Sequence, residues 1–188
     1  MHLLNPKHHT MKRYLRLLVQ LFLAPKQGWE DLSAEQVDPD ELMRRGLYPL
    51  AALAALMSFL GILYHADTTL MSLLLKAVVE FGAWIVGYFI AVFALSSGLP
   101  QIADDGIGPS IRCIKLFSVC TIGLMVVIGL LRNLLPSDYS IIWFLYFYLA
   151  IIIWRGERFM KVAPDKRVVF VILAVVSVIV PPLLIMLL

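Results

Sequence analysis

In this 188-residue sequence the side chains best placed to do chemistry are Lys76, Glu80 and Arg132, because each stands inside a long apolar run. Ionisable groups in such a setting are expensive and face either a partner or a wet cavity. Lys76 and Glu80 are four residues apart, so on a helix they share a face and can pair. Lys76 can also snorkel toward the nearer end of its run. Glu80 lies deeper, roughly 13 Å along a helix from Met71 at 1.5 Å per residue. Arg132 approaches the same side from the end of a later run. The three make a geometrically feasible intramembrane polar cluster with two competing roles. One is a structural clamp between two helices; the other is the polar lining of a path for an ion or small solute. A single carboxylate between two cations is close to satisfied and leaves no evident proton relay, which favours the clamp.

Other chemistry is harder to find. The sequence has no HExxH, no GxSxG and no GKS/T loop, so no metalloprotease, hydrolase or phosphate-loop reaction is expected. Asp104-Asp105 sits in a Gly/Pro linker and reads as a solvated turn; a magnesium site needs further acidic ligands. His2, His8 and His9 form no metal-ligand pattern with residues elsewhere. Cys113 and Cys120 are seven apart, about 10 Å along one helix, too far for a disulfide; they read as two small buried thiols. The expectation is therefore a non-enzyme with no catalytic residue, cofactor or metal. The formal charge of +3 is spread over two clusters beside apolar segments, not gathered into a nucleic-acid-binding patch.

The elements that must position these residues follow from composition. Hydrophobic residues make up 61% of the chain and charged residues 15%, against about 45–50% and about 25% in soluble proteins. So much apolar surface cannot be hidden in a core of this size, and it comes in long runs. The fold class expected is an all-α integral membrane protein, a five-transmembrane-helix bundle preceded by an amphipathic interfacial helix. A span needs about 20 mostly apolar residues. The candidates are 47–64, 71–96, 116–135 (bounded by Pro136), 139–154 (borrowing Tyr139 and Ser140) and 168–188, the last interrupted by Pro181-Pro182. Lys and Arg in alternate flanking segments number seven, two and five, against zero, zero and zero in the others. That pattern places the N-terminus in the cytoplasm and the C-terminus outside.

Before the first span, Lys12, Arg16 and Gln20 repeat at i, i+4 and i+8, while Leu15, Leu18 and Phe22, with Leu17 and Leu21 alongside, cover another face. This is a basic amphipathic helix suited to the headgroup layer, although the same face suits packing on the protein's own bundle. A cleaved signal peptide fits less well, since Arg16 and Gln20 interrupt the apolar run and no small-x-small site follows. Pro25 cannot continue that helix, and Trp29 has the chemistry of an interface anchor; "LAPKQGWEDL" thus reads as an anchored corner. In "DPDEL", Asp38 suits an N-cap, Pro39 the first helical position and Glu41 a capping box, with a kink expected at Pro49. The chain then divides into a disordered leader (1–10), a cytoplasmic amphipathic helix and linker (11–46) and the spanning domain (47–188).

The order of these parts resembles the Yip1 domain family in its compact bacterial form. The matching features are a short N-terminal helix, then "PKQGWEDL", a proline at the first span in "RRGLYPLAAL", and the Gly-rich linker "SSGLPQIADDGIGPSIRCI". "LLRNLLP" closes span three, and an aromatic fourth span leads into the basic hairpin "WRGERFMKVAPDKRVV". The resemblance runs from about Met11 to Leu188. In place of the tyrosine-proline often found early in that family's third span, this chain has "FSVCTIG". The resemblance implies a five-span bundle without enzymatic activity, acting as a membrane scaffold or adaptor in membrane organisation or trafficking, in a bacterial inner membrane. Its partners would be the lipid bilayer and a second copy or another membrane protein. In eukaryotic relatives it implies traffic through small GTPases, but no residue here specifies a GTPase contact. A small oligomeric transporter or channel using Glu80 is the alternative.

Overall fold

Short polar residues start several of the helices. The chain's structure, a computed structural model, describes residues 6–35, 37–64, 69–103, 108–135 and 141–187. Asp38 accepts the Asp40 N–H (3.1 Å) ahead of α3 (Pro39–Leu42), as its N-cap chemistry leads one to expect. Thr69 and Ser110 do the same ahead of α6 (Leu70–Gly98) and α7 (Ile111–Leu134). Glu41 does not close the expected capping box; its Oε1 accepts from Thr10 and Arg45, each at 3.0 Å. The other helices are α1 (Pro6–Leu23), α2 (Pro25–Ala34), α4 (Tyr48–Met57), α5 (Gly61–Tyr64), α8 (Ile141–Arg155) and α9 (Arg167–Leu187). Pro25 both ends α1 and occupies the first position of α2, so the expected corner is in fact a helix–helix junction. The expected unstructured leader is helical from Pro6 onward. His2, Asp104-Asp105, Pro136, Tyr139 and Ser140 lie outside the described residues.

Between α3 and α4 the chain widens into a π-helical turn, Met43–Leu47, in which Tyr48 N–H reaches back to Met43 O. Pro49 follows at once. A proline lacks the N–H for an ordinary helical bond and clashes with the carbonyl four residues back, and a wide turn at that place relieves the clash. Helix resumes through α4, a 3₁₀ turn (Ser58–Leu60) and α5.

Among the described residues, three helical stretches are long and apolar enough to cross a membrane: Leu70–Gln101, Ile111–Leu134 and Pro164–Leu187. The apolar helix Ile142–Arg155 is shorter, and the expected first span is divided by its 3₁₀ turn. α7 is the central element, with Leu116 to Val126 continuously buried and α1, α4, α6, α8 and α9 packed around it. α6 and α9 form the most extensive contact. The sequence predicts an interruption of the last run at Pro181-Pro182, but α9 is continuous to Leu187. The prolines forgo two backbone hydrogen bonds; the buried Pro182 ring packs into the space left by Gly87 on α6.

The segments richest in Lys and Arg meet at one end of the bundle. Arg112 donates to Val37 O (3.1 Å), Lys115 to Asp40 (2.9 Å), and Lys166 Nζ to Gln101 O (3.1 Å). An isolated bridge pairs Ala103 with Val162. α1 docks near this end. Tyr14 donates to Val119 O (2.8 Å), and Tyr148 donates to Phe22 O (2.7 Å). Val119 is eight residues inside α7 and Tyr148 seven residues inside α8 from that end, depths of about 12 and 10 Å. Tyr14 is in the middle of α1 and Phe22 is near its C-terminal end, so with matching depths the second half of α1 lies across α7 and α8. The Tyr14 ring fits between Gly46 of the π turn and Gly123 of α7, where a Cβ would collide with it.

Candidate functional site

At the opposite end, the residues singled out by their charge come together around Glu80. Its side chain is the one buried carboxylate among the described residues, 4% exposed. Burial of a carboxylate is costly unless charge and lone pairs are both answered. Arg132 Nη2 donates to Oε1 at 2.9 Å, and Asn133 Nδ2 donates to Oε2 at 2.8 Å. The same Asn133 amide also reaches Ala54 O (3.2 Å), and its Oδ1 accepts from Lys76 Nζ at 3.3 Å. The cluster therefore joins α4, α6 and α7.

Lys76 differs from the expected intrahelical pair, because it reaches Asn133 and not Glu80. The reason is competition: Arg132 and Asn133, consecutive at the end of α7, fill both carboxylate oxygens from across the interface. Sequence reasoning missed Asn133. It is one of only two asparagines in the chain and adjoins Arg132 in an apolar run, which is the signal that points to it. The Tyr146 hydroxyl is on α8. It is buried with no hydrogen-bond partner among the described residues.

The sequence assigns Pro25 and Trp29 to an anchor at the headgroups. Trp29 lies near the basic end but faces inward, 2% exposed. Its Nε1–H donates to Ile152 O (3.0 Å), and its ring stacks on Phe117 (5.0 Å) and meets Phe159 (5.3 Å). The indole that would suit an interface instead locks α2 to α7, to α8 and to the turn after α8. A close approach at Gly156, where a Cβ would meet Phe117, Ile153 O and Trp29, permits this.

On α1, Tyr14, Leu17, Leu18 and Leu21 are buried against the bundle, whereas Leu15, Val19, Phe22 and Leu23 are exposed. Arg13 pairs with Glu35 (2.6 Å) and Gln20 bonds to Asp31 on the polar side. The helix thus has three faces rather than two. Burial, with Cys120 nearby, pushes the Tyr14 hydroxyl well above its ordinary range. Cys113 and Cys120 are both free thiols, Cys120 fully buried.

Compared with models of protein families, with curated proteins and with solved structures, the chain matches none. What fold and composition define is a membrane protein that is helical, without strands, among the described residues, with three helices there long and apolar enough to span.

Proposed function

We propose that this chain is a non-enzymatic, five-span membrane scaffold or adaptor of the Yip1 type, held in a bacterial inner membrane. The observation that carries the reading is the state of Glu80. Both its oxygens are occupied by protein donors tying three helices together, as in a clamp. A transport site keeps capacity free for its solute.

In this reading α4–α5 and α8 are the two crossings beyond the three long helices. α8, at 15 residues, is about 22 Å long, short of the roughly 30 Å hydrocarbon core. Local thinning or burial of its ends makes up the difference. The gathering of the basic segments at one end supports a cytoplasmic N-terminus and an external C-terminus. α1, lying across the bundle with its exposed apolar stripe beneath and polar side above, is the interfacial helix. The partners are the bilayer and membrane proteins, a second copy of the chain included.

One observation favours the alternative, a small oligomeric transporter: the buried Tyr146 hydroxyl of α8, without a hydrogen-bond partner among the described residues. Reconstitution into liposomes carrying ion- and pH-sensitive dyes decides between the two. The scaffold reading expects no flux above protein-free vesicles. A flux abolished by Glu80→Gln replaces it with a transporter.

A further inference from the structure

The basic end carries a feature that the scaffold reading does not use. Two adjoining cavities, of about 320 and 420 Å³, share Lys26, Arg155 and Arg158 in their walls. A fourth free cation, Lys161, lines the first cavity together with Arg112 and Glu30. The second is flanked by Ile151, Trp154 and the Glu157–Arg167 pair (3.0 Å).

Arg112 is occupied by the backbone carbonyls of Glu35 and Val37, and Arg167 by Glu157. Among the described residues, none of Lys26, Arg155, Arg158 and Lys161 forms an ion pair. Four cations with Glu30 as the one unpaired carboxylate beside them repel one another unless an anion joins them. Lys161 adds an independent sign. It adopts φ 50°, a left-handed conformation costly for any residue with a Cβ. Glycine would relieve that strain, yet a cation stands there, and strain of this kind collects where a side chain has a task.

The apolar flank identifies the class of anion. Trp154 and Ile151 are exposed on α8 immediately beside Arg155, the arrangement of a helix end where hydrocarbon gives way to headgroups. A free phosphate ion has no use for that flank, whereas a phospholipid lays its chains along it and its phosphate among the cations. We propose that Lys26, Arg155, Arg158 and Lys161 bind the phosphate of an anionic phospholipid, with Trp154 and Ile151 against its acyl chains. This rests on the reading of the basic end as the cytoplasmic end of a membrane-spanning bundle.

The test uses the full chain in neutral detergent, titrated separately with phosphatidylglycerol, phosphatidylcholine and soluble glycerol 3-phosphate while thermal unfolding is followed. Phosphatidylglycerol should raise Tm saturably, and the other two should not. In the Lys26→Gln/Arg155→Gln/Arg158→Gln variant the apparent affinity should fall roughly a hundredfold. Lys161→Gly, which also relieves the backbone strain and so keeps the fold, should lower it about fivefold. Removing cations elsewhere, by Lys12→Gln and Arg44→Gln, should leave it unchanged. Equal loss in that control, or no loss in Lys161→Gly, overturns the site. Equal stabilisation by glycerol 3-phosphate overturns the lipid as its ligand. Dye flux through Glu80 is read separately, so failure of the scaffold reading and failure of the lipid site give different results.

Discussion

Replacing Glu80 by glutamine changes one atom of the cluster and removes its charge. The amide keeps a single acceptor, whereas two donors, Arg132 Nη2 and Asn133 Nδ2, now point at the side chain from opposite sides. Whichever way the amide turns, its NH₂ faces another donor, and the Arg132 cation loses its counter-charge. Removing one partner from a buried ion pair costs about 3–5 kcal/mol. Arg132 retains 35% of its side-chain exposure, so part of its charge can be answered by solvent or headgroups, and the expected loss is about 2–3 kcal/mol. For a protein of this size that is a fall in Tm of roughly 4–10 °C, measured by intrinsic fluorescence in detergent. Changing Arg132 to methionine in the same chain should recover part of the loss, because the cost lies in the orphaned cation. Asn133→Ala, which removes contacts to Glu80, Ala54 and Lys76 together, should cost as much as Glu80→Gln, and Lys76→Gln clearly less. A Tm unchanged in Glu80→Gln, or a larger loss from Lys76→Gln than from Asn133→Ala, refutes this account of the clamp.

Three further outcomes concern the docking of α1 and α2 on the bundle and the topology. Gly123→Ala places a methyl group against the Tyr14 hydroxyl and should cost about 1–3 kcal/mol; faster trypsin cleavage at Lys12, Arg13 and Arg16 should accompany it, partly reversed by adding Tyr14→Phe. Trp29→Phe keeps ring stacking but leaves Ile152 O without its donor, a loss of about 1–2 kcal/mol seen as a lower Tm; an unchanged Tm shows that the indole hydrogen bond contributes nothing. In a Cys113→Ser/Cys120→Ala background, a membrane-impermeant maleimide added to intact cells should label Thr68→Cys and spare Asp165→Cys. The reverse pattern, or equal labelling of both, removes the five-span topology.

Much of the local structure was legible in consecutive residues. The N-cap at Asp38, the end of α1 before Pro25 and the helical character of the apolar runs depend on backbone donors, proline's missing N–H and side-chain solvation, all set within a few positions along the chain. The candidates at Glu80 and Arg132 were legible for a similar reason, since a charge in an apolar run is conspicuous wherever the run folds. Partner choice was not. Whether Glu80 meets Lys76 four residues away or Arg132 and Asn133 from α7 depends on how two helices are rotated and how deep each sits, and spacing along one helix encodes neither. The same limit explains Trp29, whose amphipathic chemistry suits an interface equally with a buried contact to Ile152 O, and α1, where only docking divides its apolar residues into a buried and an exposed stripe. The seat of the Pro182 ring against Gly87 is likewise set by a different helix, α6. Lys26 and Arg155 are far apart in the chain, and only the Trp29 lock between α2 and the end of α8 makes them walls of one cavity, because side-chain packing between elements, not propensity within them, sets which charges become neighbours.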